Sequence, residues 1–188
     1  YDENGDPVIV LFPDGTGTVS GILHRYNIKA DRWDTPPVPS VPSKLPSAGI
    51  WGHDVAVDRE NNICYISGGA TTPGGGDLRS LYAYYPDSNT AAYLGEFDHI
   101  PSGFAHHASW YVPWLGLNGS VCVGGGIDAS GVAYGDTQCY DLATGVFNTP
   151  NSDLGTLPLS LWGMADAEKN RGTDHELWIV GGVEDDLS

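Results

Sequence analysis

Tyr65-Ile66-Ser67-Gly68-Gly69 is one of three versions of the same phrase; the others are Cys122-Val123-Gly124-Gly125 and Ile179-Val180-Gly181-Gly182. Each is a short apolar run stopped by a double glycine. From Gly68 to Gly124 is 56 residues, and from Gly124 to Gly181 is 57. A second phrase follows the first two copies: Tyr85-Pro86-Asp87-Ser88-Asn89-Thr90-Ala91 leads to Ala92-Tyr93, and Tyr140-Asp141-Leu142-Ala143-Thr144-Gly145-Val146 leads to Phe147. An earlier Tyr26-Asn27-Ile28-Lys29-Ala30-Asp31-Arg32-Trp33 has the same form. Fifty-six residues before Gly68 stands Phe12, closing the run Val8–Phe12, with Phe12-Pro13 in place of the glycines. The turn Asp2-Glu3-Asn4-Gly5-Asp6 likewise precedes Asp58-Arg59-Glu60-Asn61-Asn62 by 56 positions. Self-similarity at this period marks a repeat architecture.

Between these phrases the apolar residues alternate or form runs of four or five, each closed by Gly, Pro, Ser, Asn or Asp. That is the pattern of strands and turns, and helical spacing is almost absent. The 26 glycines and 13 prolines suit a chain rich in turns, while 6 Trp, 10 Tyr and 4 Phe provide core material.

A strand-only repeat of about 55 residues, with a double glycine after one strand and a Tyr-x6-aromatic pair after another, resembles the kelch motif of β-propellers. The period exceeds the roughly 50 residues usual for kelch, and the aromatic of the middle copy is displaced by one, to Tyr93. The resemblance implies an all-β fold of blades, each a four-stranded antiparallel sheet whose inner strand faces a central axis. It places inner strands at 52–58, 105–112 and 163–166, and third strands at 22–26, 81–85 and 137–140. Approximate blades then span 1–47, 48–103, 104–158 and 159–188. The first lacks its inner strand and the last stops after its second. About 13 strands make a little over three blades, too few to close a ring. The pattern therefore favours a segment of a larger chain, with closure by a second copy as the alternative.

Nucleophile and phosphate signatures are missing: there is no G-x-S-x-G and no Gly-Lys pair, and Gly15–Gly21 has the wrong spacing for a dinucleotide loop. His53 and His107 occupy corresponding places in two copies, with Met164 third, which points to a packing or hydrogen-bonding role. His106 is the candidate for the channel. The kelch family includes a copper oxidase with Tyr and His ligands, but no matching pair maps here, so the resemblance does not carry that activity across. Asp2–Asp6 opens like a calcium loop, but Pro13 stands where the bidentate Glu belongs. No cofactor is expected, with calcium or a transition metal as the minority reading. Cys122 and Cys139 flank a hairpin and form a possible disulfide; Cys64 has no evident partner. Asn118-Gly119-Ser120 is a possible glycosylation sequon.

Long, variable loops (35–50, 70–77, 98–104, 127–135 and 151–161) fall on one face of such a propeller, where recognition usually resides. Trp51, Phe104 and Trp162 stand where three of these loops meet their inner strands, and with His53, His106 and Arg79 they form the candidate binding set. Eight basic against 24 acidic residues give −16, which disfavours nucleic acid and anionic membrane surfaces. No apolar run approaches the length of a spanning helix. The expected function is a non-enzymatic module for protein or glycan recognition or extracellular assembly. Two alternatives stand beside it: a kelch-propeller enzyme (oxidase or sugar-modifying) acting at the channel mouth, and a structural subunit stacking through its open end blades.

Overall fold

The computed structural model describes residues 8–11, 24–33, 50–72, 75–171 and 174–184, and every regular element among them is a strand. β1 (Val8–Leu11), β2 (His24–Asn27) and β3 (Arg32–Trp33) form a three-stranded sheet in chain order. β4 (Asp54–Asp58), β5 (Ile63–Ser67), β8 (Ser80–Tyr85) and β9 (Thr90–Glu96) form a four-stranded sheet. A hairpin of β6 (Ala70–Thr72) and β7 (Gly75–Asp77) interrupts it, in the segment expected to be a plain loop. The next four-stranded sheet is β10 (Ala108–Val112), β11 (Ser120–Gly124), β12 (Thr137–Asp141) and β13 (Val146–Phe147). β14 (Leu161–Arg171) and β15 (Asp174–Glu184) make a long two-stranded ribbon. All pairings are antiparallel. Among the described residues no barrel closes, and no helix is long and apolar enough to cross a membrane.

The turns form where side chains satisfy the backbone locally. Asp58 Oδ1 accepts the N–H groups of Glu60 and Asn61 at 3.0 and 3.1 Å, closing the β4–β5 turn. Asp141 Oδ1 does the same for Ala143 and Thr144, both at 2.8 Å, in the β12–β13 turn. Such Asx turns compete well with continued strand.

Backbone conformation fixes the phase of the repeat. Gly68 and Gly69 have φ of +55° and +88°, and Gly181 and Gly182 have +72° and +98°. In the middle copy the pair with this geometry is Gly125-Gly126, at +69° and +108°, while Gly124 remains in β11. The run of three glycines hid this one-residue offset, so the true spacing is 57 and then 56.

From β4 onward, apolar residues pack at two junctions between successive sheets. Tyr65, Leu81, Phe97 and Phe104 pack with Val121 and Val123 between the two four-stranded sheets. Ala108, Trp110 and Cys122 pack with Met164, Leu177 and Ile179 between the third sheet and the ribbon. The first strands β4, β10 and β14 neighbour one another in that order. Equivalent bonds seal both junctions: Gly69 N–H donates to Phe104 O, and Gly126 N–H to Leu161 O, each at 2.8 Å. Cys122 lies opposite Cys139 in the β11–β12 register, and the two form a disulfide with S–S 2.06 Å. Cys64 is a free thiol that burial pushes up to about 11.

Candidate functional site

The first strands β4, β10 and β14 share one repeated backbone feature near their starts. Gly52, His106 and Gly163 all take left-handed φ, at +63°, +55° and +66°. They are also chained together, with His106 N–H donating to Gly52 O at 2.6 Å and Gly163 N–H to His106 O at 2.8 Å. The first two of these strands accordingly begin at Asp54 and Ala108, two or three positions later than the pattern suggested, whereas β14 runs through Gly163 and spans Leu161–Arg171, well beyond the expected 163–166. His106 is the one non-glycine of the three, a conformation that costs an ordinary side chain on the order of 1 kcal/mol. Its ring lies edge-on to Trp51 at 4.9 Å and tilted to Trp162 at 6.0 Å. Gly52 makes room for it, since a Cβ there would come within 3.0 Å of the imidazole. All three rings are part-exposed.

Phe104 does not join this cluster. It is fully buried against Phe97, His99 and His107, at ring separations of 5.9, 4.5 and 4.5 Å. In the corrected phase Trp51 and Trp162 match Ala105, so Phe104 falls one residue too early, on the sheet junction. His53 turns to its own loop, with Nδ1 2.9 Å from Ile50 O. His107 reaches back to the preceding sheet, with Nε2 2.7 Å from Ser67 Oγ. Arg79 is paired with Glu96 of the edge strand β9 at 2.5 Å. Asn118 is exposed in the β10–β11 connection, while the hydroxyl of Ser120, its sequon partner, is held by Leu115 O at 2.9 Å. The calcium-like loop at 2–13 and the loop at 35–49 lie outside the described residues, apart from β1.

Further along the same strands is an acidic group that the repeat comparison missed. Asp54 and Asp166 face each other beside Ser109. Burial, then the Asp166 charge and hydrogen bonding to it, push the Asp54 carboxyl up to about 8; burial also raises Asp166. The Ser109 backbone amide works against both rises. Ser109 Oγ and Glu168 Oε2 are buried without a hydrogen-bond partner. A cleft of about 250 Å³ runs past Ser109, Asp166 and Glu168. The pair is suited to sharing one proton and to accepting N–H or O–H groups. Asp54 aligns with Ala108 and Ala165, so nothing recurs at its position; an aspartate inside an apolar inner strand was the available signal. No grouping of three or more His, Cys, Asp or Glu among the described residues is placed to hold a metal ion.

Fold and site together define an all-β protein of serially packed antiparallel sheets with an aromatic trio near the starts of β4, β10 and β14. The chain is similar to the solved structure of YjhT, with a TM-score of 0.62 at 14% identity. The match covers 87% of this chain and 44% of YjhT, so the chain spans under half of that protein's length. No family model matches the sequence, and no curated protein does.

Proposed function

We propose that the chain is part of a kelch-like β-propeller, with blades at 1–47, 48–103, 104–158 and 159–188, that acts as a non-enzymatic recognition module outside the cell. Its partner is a protein or a carbohydrate, gripped on the face where the loops meet the inner strands. The observation that carries this is the packing of Trp51, His106 and Trp162 into one part-exposed cluster near the starts of β4, β10 and β14. Amphipathic aromatic rings on a rigid scaffold supply contact area at low entropic cost. The test is a glycan array and a peptide array probed with the chain and with Trp51→Ala and Trp162→Ala. Each variant is expected to lose at least tenfold in affinity for the best hit, about 1.4 kcal/mol. Unchanged binding by both overturns the reading.

A second reading, assembly through the open ends, rests on the ribbon. Tyr65 and Cys122 occupy the position of Trp178, and both face the following sheet; Trp178 is 50% and Val180 61% exposed. A large apolar face of this kind marks an interface. Light scattering is expected to show concentration-dependent association that Trp178→Ser with Val180→Ser abolishes. A monomer at all concentrations rules this second reading out.

A further inference from the structure

At the opposite end of the strands from the double glycines, a cleft of about 650 Å³ opens between the two four-stranded sheets. Four tyrosines line it, Tyr65 and Tyr85 from one sheet and Tyr111 and Tyr140 from the next. The rings of Tyr65 and Tyr111 are near-parallel, 23° apart with centroids at 6.0 Å. The charged residues on the wall are Asp58 and Glu60, and no Lys, Arg or His is among the lining residues. Arg59 and Lys169 border the adjoining cleft around Val57 instead.

The two acids act differently. Asp58 is 1% exposed, and its oxygens are taken by the Glu60 and Asn61 amides and, at 2.7 Å, by Asn61 Nδ2. It therefore supplies negative potential rather than a free ligand atom. Glu60 is exposed at the rim. Burial, then Asp58, raise the Tyr65 and Tyr111 phenols, so both stay protonated and neutral at physiological pH. Neutral tyrosine rings beside two carboxylates favour positive charge, and a net charge of −16 adds to that field.

We propose that this cleft binds a small organic cation, an alkylammonium or quaternary ammonium group, against the tyrosines and in the field of Asp58 and Glu60. An anion would meet two carboxylates with no counter-charge on the wall. A neutral polyol can donate a hydroxyl to Glu60 but gains nothing from the net negative field, which makes charge the decisive variable.

The experiment is calorimetric titration of the chain with choline, butylammonium and 3,3-dimethylbutan-1-ol, the last being the uncharged isostere of choline. At least one cation is expected to bind, and at least tenfold more tightly than the isostere, with affinity falling as salt is raised. Glu60→Gln, an exposed change that spares the fold, weakens it severalfold, and Tyr111→Ala more than tenfold. Trp162→Ala leaves it unchanged, which separates this site from the aromatic trio. Binding of neither cation, equal binding of choline and its isostere, or indifference to Glu60→Gln overturns the proposal.

Discussion

Replacing Gly68 by alanine is expected to destabilise the chain by about 3 kcal/mol or more, whereas the same change at Gly181 costs only about 1 kcal/mol. The two share a left-handed backbone, with φ of +55° and +72°, so both carry the strain of a side chain there. They differ in what lies beyond. A Cβ on Gly68 would stand 2.6 Å from Phe104 Cε2 and 2.8 Å from His107 Cε1, in a junction that is fully packed. At Gly125 it would stand 2.8 Å from the Leu161 carbonyl oxygen, so Gly125→Ala belongs with Gly68→Ala. At Gly181 no atom lies within 4 Å. Urea denaturation of the three variants checks this, and equal losses at Gly68 and Gly181 would show that conformation alone selects the glycine. An overpacking cost comes in addition to the conformational one.

Stability is expected to peak near pH 6.5 and to fall on both sides. His99 is held down to about 4 by burial, although Asp136 and Asp98 pull it upward. His107 lies well below its usual range, through burial and then through the charges that His99, His53 and His106 would carry. Below about pH 6.5 the unfolded imidazoles take protons that the folded ones refuse. Stability then drops by up to about 1.4 kcal/mol per pH unit for each of the two groups. The acid pair has the opposite sign. Asp54, raised to about 8, keeps a proton in the fold that the unfolded chain releases above about pH 4, so it removes stability as pH rises towards 8. From about pH 4 to 6.5 the two histidines outweigh Asp54; above that range the loss from Asp54 remains. Melting curves from pH 5 to 8.5 test this. Asp54→Asn is expected to flatten the alkaline limb and His107→Gln the acid limb. A wild-type curve without a maximum in this range contradicts the assignment.

The sheet order was legible because glycine, aspartate and aromatic residues recur in register, and each of them punctuates a strand by a local mechanism. What a repeat alignment reads poorly is a position where the copies disagree. His106 occupies a place that glycine fills twice, so its backbone geometry was hidden by its identity. Phe104 is aromatic and one residue from the mouth, and the run Gly124-Gly125-Gly126 leaves the phase of the repeat loose by that one residue. Asp54 and Asp166 come together from non-equivalent positions, and the tyrosine cleft is assembled from strands far apart in the chain. Both are products of packing between sheets, which no single strand encodes.

The cross-strand disulfide gives the β11–β12 hairpin a property its hydrogen bonds do not. Cys122 and Cys139 are 17 residues apart and enclose the irregular stretch 127–135, whose tip is anchored by Asp128 through the Ser130 and Val132 amides and the Ser102 and Tyr134 hydroxyls. A protease that nicks this loop leaves the two halves covalently tethered. The cut chain therefore still migrates as one molecule until a reductant is added, and its buried core keeps both ends of the break within reach of each other.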